Sequence, residues 1–407
     1  MADPAPKLSP RSDGAAHRRM LTVLAVAGFS AAISMRLCDA MLPELASVFA
    51  VPATDAAIVI WAFAITYGAM QMVYGRLGDR YGKPRVIAIA IGFCGLASLT
   101  AAAAPTLDML AFARAAMGAG AAAVVPLAIA WIGDTVPLQQ RQVVLARYSG
   151  ATLSGIMLGA WAGGILTELV GWRAAFLFVA PLFFAVAIAL LRLSGQVRAV
   201  LTPGTSHLPY TQQLVELLQI PWAQVVLGCA LLEATFVFGF LAFLPTVLFT
   251  QFDMPLSHGG GVLAAFGLGG LVFSRLAPVL LRRVTPAVQA RIGSMLLAAG
   301  YAMLVWLPHW SWAVAGCLVA GFGFYGLHNT MQLSATQLST MSRGMGVSTF
   351  ACFLFLGQSA GVVLAAQIFA HWGSACGFAI AGTALTLIGL GFAHQLHKRE
   401  ILLLHSP

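Results

Sequence analysis

The chain has 407 residues, of which 60% are hydrophobic and only 9% are charged. A soluble domain carries about a quarter charged residues, so this composition excludes a water-soluble globule and indicates an integral membrane protein. The formal net charge of +9 does not imply a nucleic-acid partner, because the distribution of the cations is explained by membrane topology. One crossing takes about 20 apolar residues, so the length leaves room for about a dozen spans.

The predicted elements begin after a polar stretch, residues 1–19, which we expect to be a disordered tail. One long connection, residues 195–220, divides the rest into an N-terminal bundle over 20–194 and a C-terminal bundle over 221–396, followed by a tail over 397–407. The fold prediction is all-α, with twelve transmembrane helices in two pseudo-symmetric six-helix bundles. The predicted spans are 20–48, 55–75, 86–104, 107–133, 142–167, 174–194, 221–250, 258–281, 287–307, 311–337, 345–370 and 374–396.

Most of the 22 Lys and Arg residues fall in the tails and in the loops that follow even-numbered spans. By the positive-inside rule, both termini and the long connection are predicted to be cytoplasmic. We expect the protein to lie in a bacterial inner membrane.

Three charged residues lie more than one helical turn from the ends of the first and fourth predicted spans. Arg36 and Asp39 are three residues apart and share a helix face, and Arg114 lies at a similar depth. A charge at mid-membrane costs at least about 2.5–3.5 kcal/mol, so such residues are candidates for function. A substrate or a helix movement that separates Asp39 from an arginine would let it exchange a proton, which makes all three candidates for proton coupling. The alternative is a permanent Arg36–Asp39 or Asp39–Arg114 bridge that locks helices together.

The loop after the second span has a distinctive spacing of glycines, cations and an acid, Gly75-Arg76-Leu77-Gly78-Asp79-Arg80-Tyr81-Gly82-Lys83-Pro84-Arg85. It resembles the signature loop between the second and third helices of the major facilitator superfamily. The resemblance implies two bundles around a central cavity that alternate in access. It also implies a cytoplasmic latch in which Asp79 and Arg80 meet an acid, here Asp134, in the outward-open state. We assign Gly75, Gly82 and Arg141 to the same conformational gate; the alternative is a basic loop that only follows the positive-inside rule.

Two further stretches are similar to drug:proton antiporters of that superfamily. Asp39-Ala40-Met41-Leu42-Pro43 resembles their D-x-x-x-P ending of the first helix, and Arg114 with Gly118 matches R-x-x-x-G in the fourth. The fifth span resembles their G-x-x-x-G-P-x-x-G-G motif through Gly155, Gly159, Gly163 and Gly164, with Ala160 in place of the proline. The resemblance implies export with Asp39 as a proton carrier, whereas ordinary packing of small residues is the alternative for the glycines.

The second half carries its own polar groups within apolar spans. Glu233 shares a face of the seventh span with Phe236 and Phe240, and a carboxyl group in apolar surroundings holds its proton to a higher pH than one in water. Glu233 is therefore a second candidate for proton coupling or for binding a cationic substrate group. We expect the remaining candidates for substrate binding to be Tyr325, His328, Asn329, Gln332 and Gln358. For each of them, a hydrogen bond between helices is the alternative.

The halves also repeat weakly. Pro43 has a counterpart in Pro245, and Gly155 and Gly159 have counterparts in Gly357 and Gly361. Such parallel repeats are common in secondary transporters.

No pattern of residues indicates an enzyme, a metal site or a nucleotide cofactor. Gly321–Gly326 reads G-x-G-x-x-G, but it lies inside an apolar span without the strand that a nucleotide fingerprint needs. We therefore predict a secondary transporter without a cofactor, which acts as a monomer and exports small, largely apolar or cationic molecules in exchange for protons. The alternative is a transporter of a specific metabolite, a sugar or an organic anion, that acts as a symporter or facilitator with Arg36 and Arg114 binding the anion.

Overall fold

The computed structural model describes residues 10–195, 210–280, 284–338 and 343–404, and every regular element within these ranges is helical. The helices are α1 Pro10–Arg36, a 3-10 turn Asp39–Met41, α2 Leu42–Phe49, α3 Ala53–Ala56, α4 Ile58–Tyr81, α5 Lys83–Ala102, α6 Leu107–Ala121, α7 Val124–Thr135, α8 Leu138–Val170, α9 Trp172–Ser194, α10 Tyr210–Gln219, α11 Pro221–Leu241, α12 Leu244–Phe252, α13 Leu256–Leu280, α14 Pro286–Trp306, α15 Trp310–Ala335 and α16 Arg343–Leu404. The predicted all-α membrane fold is confirmed.

Eleven helical segments of the described chain are long and apolar enough to cross a membrane. The last, Met345–Ile401, has 57 residues, which is far more than the about 20 that one crossing needs. Gly373 has a φ of 77°, in the left-handed region, and interrupts this helix. The rings of Phe369 and Phe378 lie 5.3 Å apart on either side of Gly373, so the chain folds back there and α16 supplies two crossings.

The bounds at the chain ends differ from those predicted. Helix α1 begins at Pro10, so residues 10–19 are helical where a disordered tail was predicted. The His17 ring stacks on Trp131 at 5.1 Å, and this contact ties the start of α1 to α7. Helices also occupy Tyr210–Gln219 of the predicted connection and the residues up to Leu404 of the predicted tail. Residues 1–9, 196–209 and 405–407, which belong to these predicted segments, lie outside the described residues.

The first and seventh predicted spans are interrupted in the same way. The 3-10 turn at Asp39–Met41 separates α1 from α2, and a break at Ala242–Phe243 separates α11 from α12. Pro43 and Pro245 occupy the first turns of α2 and α12, where a missing N–H costs no helical hydrogen bond. The interruption places the Asp39 carboxylate at a helix break inside the membrane rather than in a continuous helix.

Glycines bring backbones together identically in the two bundles. A Cβ atom would meet carbonyl oxygens of a neighbouring helix at two positions per bundle: Gly155 and Gly159 of α8 against Phe29 and Ile33 of α1, and Gly357 and Gly361 of α16 against Leu231 and Thr235 of α11. Each of the four residues in the N-terminal bundle is separated from its counterpart in the C-terminal bundle by the same number of positions in the sequence. Internal pseudo-symmetry therefore extends from the sequence repeat to individual contacts.

The two bundles meet along α8 with α13 and along α4 with α16. We call the end of the molecule at which α4 joins α5, near Lys83, the basic end, and the end at which α8 finishes and α13 begins the opposite end. At the opposite end, Gly164 faces the Leu256 backbone and Gly260 faces the Ala160 backbone too closely for a side chain. The bundles are thus closed against each other at the opposite end.

Candidate functional site

A cavity of about 460 Å³ lies between the bundles. Its walls come from α1, α7, α8, α11, α13, α15 and α16. Ser149, Ser274 and Gln332 line it toward the basic end, whereas Ala160 and Leu263 line it near the closed contacts. Helix α4 contributes no residue to the wall: Gly68 touches α16, and a Cβ on Gly75, two turns nearer the basic end, would have open space. The cavity therefore extends from mid-membrane toward the basic end.

Arg36 and Asp39 form a buried ion pair at the end of α1. Arg36 Nη1 lies 3.1 Å from Asp39 Oδ2. The Arg36 guanidinium also lies over the Phe238 ring, 4.6 Å from its centroid, and lines the cavity. Asp39 is fully buried outside the cavity, and its Oδ1 atom has no hydrogen-bond partner among the described residues. Arg36 thus separates the carboxylate from the cavity.

Arg114 does not bridge to Asp39. Its Nε donates to the Val59 carbonyl oxygen at 3.0 Å and its Nη1 to the Ser34 carbonyl oxygen at 2.8 Å. Its guanidinium lies 4.4 Å from the centroid of the Phe63 ring, and the side chain is fully buried away from the cavity. Arg114 joins α6 to α1 and α4, so of the two arginines only Arg36 is in reach of a molecule in the cavity.

Glu233 and His328 form a second buried pair, which links α11 to α15. His328 Nδ1 lies 2.7 Å from Glu233 Oε2. Glu233 is completely buried and its Oε1 lacks a partner in the described part of the chain, whereas the His328 side chain is 14% exposed and lines the cavity. The same arrangement therefore occurs twice: a buried acid is covered by a side chain on the cavity wall that binds it through a nitrogen atom.

The other polar candidates of the second half line the cavity as well. Tyr325, Asn329 and Gln332 project from α15, and Gln358 projects from α16. Together with His328 and Ser274 they form the polar part of its wall on the side of the C-terminal bundle.

Phe236 and Phe240 do not line the cavity, so their prediction as substrate contacts needs correction. Phe240 is fully buried and packs against Phe369 at 5.6 Å, and the Phe236 carbonyl oxygen accepts a hydrogen bond from Tyr301. The Phe240 ring thus packs toward α16 and Phe236 stacks on it at 5.7 Å, whereas Glu233 reaches His328 of α15. Phe238, two residues from each and therefore on the other side of the helix, is the ring that lines the cavity.

The sequence reasoning missed an aromatic cluster and a set of hydroxyl groups. Phe238 packs edge-on against Phe324 at 5.1 Å and Phe266 at 6.3 Å, and all three line the cavity. Tyr148 and Thr152 of α8 line the opposing wall. A signal was available for Phe238, because the repeat aligns it with Arg36.

In this conformation, which is open at the basic end, Lys83 joins the two acids of the predicted latch, and the contact of Arg80 with them in the outward-open state stays a prediction. Lys83 Nζ lies 3.0 Å from Asp79 Oδ1 and 2.8 Å from Asp134 Oδ2. Arg80 instead lies over the ring of its neighbour Tyr81 at 5.2 Å. Lys83 is the first residue of α5 and its side chain is nearly buried, so it reaches both acids, whereas Arg80 points outward.

The remaining gate residues have local roles in this conformation. Arg141 donates to the carbonyl oxygen of Val136, which shapes the turn between α7 and α8. Gly82 has a φ of 88°, which only glycine adopts without strain, and it lets α5 start directly after α4.

The glycines of the predicted exporter motif divide between two neighbours. Gly163, like Gly155 and Gly159, faces the α1 backbone, at Leu37, whereas Gly164 faces α13 of the other bundle. The glycines of α8 thus let it pack closely against α1 on one side and α13 on the other. In the described ranges no group of three or more His, Cys, Asp and Glu side chains is arranged to hold a metal ion.

Comparisons with known proteins identify the family. A model of the Major Facilitator Superfamily matches residues 24–361. The lincomycin resistance protein of Streptomyces lincolnensis is 31% identical over 176 residues, 42% of this chain and 36% of that protein. The multidrug efflux pump LfrA of Mycolicibacterium smegmatis is 28% identical over 169 residues, 41% of this chain and 34% of that protein. The matches thus span about a third of these two relatives.

Two further likenesses extend over nearly the whole chain. A putative uncharacterized transporter of Escherichia coli K12, YgaY, is 25% identical over 380 residues, 91% of this chain and 94% of that protein. The crystal structure of a bacterial homologue of the human lysosomal transporter Spinster, in an inward-facing and unoccupied conformation, superposes with a TM-score of 0.70 at 16% identity, over 93% of this chain and 95% of that one. With the family model matched over most of its length, this chain belongs to the Major Facilitator Superfamily.

Proposed function

We propose that this transporter exports small, largely apolar or cationic molecules across a bacterial inner membrane in exchange for protons. The observation that carries the proposal is the paired arrangement of Asp39 behind Arg36 and Glu233 behind His328. A fully buried acid with an unsatisfied oxygen is poised to take up a proton, because protonation removes the cost of a buried charge. The names of the resistance and efflux relatives support export.

The proposed exchange requires two conformations, one open at the basic end and one open at the opposite end. In this conformation the cavity opens toward the basic end, which the positive-inside rule assigns to the cytoplasm together with both termini. A substrate enters there, the contacts between α8 and α13 part, and it leaves at the opposite end. A proton then binds from that side and favours return. The proton gradient drives the cycle without a bound cofactor, and the protein acts as a monomer.

The test uses purified protein in liposomes that enclose a pH-sensitive dye. With no pH gradient imposed, a gradient of an exported cationic dye should drive protons in the opposite direction, and Asp39→Asn with Glu233→Gln should abolish this movement. If the unmodified protein moves the cationic dye without moving protons, the proposal of exchange is overturned. Retained proton movement in the double variant would overturn the assignment of these two acids.

A second candidate is transport of an organic anion together with protons. It is favoured by one observation, that the described residues lining the cavity include Arg36 but no Asp or Glu. An anion on Arg36 would weaken its bond to Asp39 and favour protonation of that acid, so anion and proton would bind together. The same liposomes distinguish the two candidates, because an anion gradient would then move protons in its own direction.

A further inference from the structure

The two nitrogens of the His328 ring have different surroundings. Nδ1 is bound to Glu233, which is completely buried, whereas the residue as a whole lines the cavity. The ring is held in this orientation by stacking on Phe324, 4.9 Å between centroids, and by contact with Phe350 at 5.4 Å. With Nδ1 turned toward Glu233, the nitrogen available to a molecule in the cavity is Nε2.

The bond to Glu233 determines the chemistry of Nε2. With Glu233 ionised and the imidazole neutral, Nδ1–H donates to the carboxylate and Nε2 carries the lone pair, so it accepts hydrogen bonds. An added proton binds that lone pair and turns Nε2 into a donor, and this holds whether the Nδ1 proton stays on the ring or moves to the Glu233 carboxylate. A hydrogen-bond donor on a substrate and a proton therefore compete for the same lone pair, and only one of them can bind it at a time.

The charged groups around His328 favour a donor that carries positive charge. Glu233 on α11 gives the unprotonated pair a net charge of −1, and Tyr325 is its polar neighbour on α15. Phe350 on α16 adds no charge. Arg36, on the wall contributed by α1, is already paired with Asp39. The aromatic cluster of Phe238, Phe266 and Phe324 offers a surface for the apolar part of the same ligand.

We propose that Nε2 of His328 is the atom at which proton and substrate exclude each other. The substrates that this site selects are amphipathic molecules with an N–H donor, protonated amines foremost. This inference rests on the proposed exchange of substrate for protons and names the atom and the ligand class on which that exchange depends.

The test measures binding of three probes with one shared ring to the protein in lipid nanodiscs, by calorimetry between pH 5.5 and pH 8. The probes are 2-naphthylmethylammonium, its N,N,N-trimethyl analogue and the neutral methyl ether of 2-naphthylmethanol. We expect the primary ammonium to bind about tenfold more tightly at pH 8 than at pH 5.5, because more protons compete for the Nε2 lone pair at the lower pH. The two probes without a donor should change less than threefold. Equal pH dependence for the primary and the trimethyl ammonium would overturn the inference.

A variant supplies the second arm. His328→Gln keeps an amide that accepts hydrogen bonds but does not titrate, so it should still bind the primary ammonium while losing the pH dependence. His371→Gln, which alters an exposed histidine outside the cavity, is the matched control and should behave like the unmodified protein. Unchanged pH dependence in His328→Gln would overturn the inference. The proton movement measured in liposomes is a separate readout. If protons and ligand compete for His328 but no exchange occurs in liposomes, the proposed exchange is wrong. If exchange occurs but binding shows no competition at His328, this inference is wrong.

Discussion

Asp39 and Glu233 show how single residues keep a charge inside a membrane protein. In each acid one carboxylate oxygen binds a side-chain nitrogen, of Arg36 or His328, and the other oxygen has no partner among the described residues. Burial makes the loss of either partner expensive, because the remaining charge is then uncompensated. The pairs therefore contribute to folding as well as to the proposed exchange, and the two contributions separate experimentally.

For the first pair we predict that Asp39→Leu alone lowers stability strongly, by about 3–5 kcal/mol, since it leaves Arg36 buried without a counter-ion. Adding Arg36→Met should recover most of the loss, because both positions are then apolar, as their counterparts Leu241 and Phe238 already are. The midpoint of thermal unfolding in detergent reports this difference. A double variant no more stable than the single one would show that the pair itself is not the cause.

At the basic end we predict that Lys83→Gln slows transport more than Arg80→Gln does. Lys83 holds Asp79 and Asp134 together, whereas Arg80 contacts only the ring of Tyr81 among the interactions described here. Initial uptake rates in vesicles, corrected for the amount of protein, measure the difference. A stronger effect of Arg80→Gln would contradict this prediction and would make Arg80 the main cation of the gate, as the family resemblance implies.

At the scale of elements, helix α8 is fixed by glycines that admit no side chain. We predict that Gly159→Ala destabilises the protein by about 1–3 kcal/mol, because the added methyl group meets the Ile33 backbone of α1. Gly361→Ala should act alike, since its counterpart contact is with Thr235 of α11. Gly150→Ala, in open space on the same α8, should instead stabilise the helix by about 0.5–1 kcal/mol. Thermal unfolding of the three variants side by side is the measurement.

The closed end offers another element-scale prediction. The carboxylate of Glu168, near the end of α8, accepts a hydrogen bond from the Ser257 backbone N–H at 3.1 Å, at the start of α13. A negative charge at a helix N-terminus contributes about 0.3–1 kcal/mol, so Glu168→Gln should raise the population open at this end about two- to fivefold. Distances between spin labels on α8 and α13 would register that shift. An unchanged distance distribution would show that the backbone contacts at Gly164 and Gly260 suffice to hold this end closed.

The elements themselves were largely predictable, because long apolar runs have no other way to satisfy their backbones in lipid than to form helices. The site was predictable only in part. Tyr325, His328 and Gln332 share a helix face in the sequence, and that face does line the cavity. The bond between Glu233 and His328 joins residues 95 positions apart, and nothing in local spacing relates two helices at that distance. The direction of the Phe236–Phe240 face was equally beyond the sequence, because large apolar side chains occur on every side of α11.

At the scale of the whole molecule, we predict a cavity accessible from the cytoplasm only, when no gradient is present. In a protein with Cys229 and Cys376 replaced by alanine, Ser149→Cys should react with a membrane-impermeant thiol reagent added on the cytoplasmic side and not on the other. Asp55→Cys, exposed before α4 at the opposite end, should show the reverse. Reaction of Ser149→Cys from both sides would mean that the resting protein samples both conformations.

The contact between Arg36 and Phe238 bears on the origin of the chain. The shift that relates Gly155 to Gly357 also relates position 36 to position 238, so these two side chains, 4.6 Å apart, touch across the pseudo-symmetry axis. If the halves descend from one duplicated gene, the ancestral protein held the same residue twice at this point. Two arginines would repel there, and two phenylalanines would leave Asp39 without its cation. In the present chain the halves differ at this position, so a single cation lies here and pairs with Asp39.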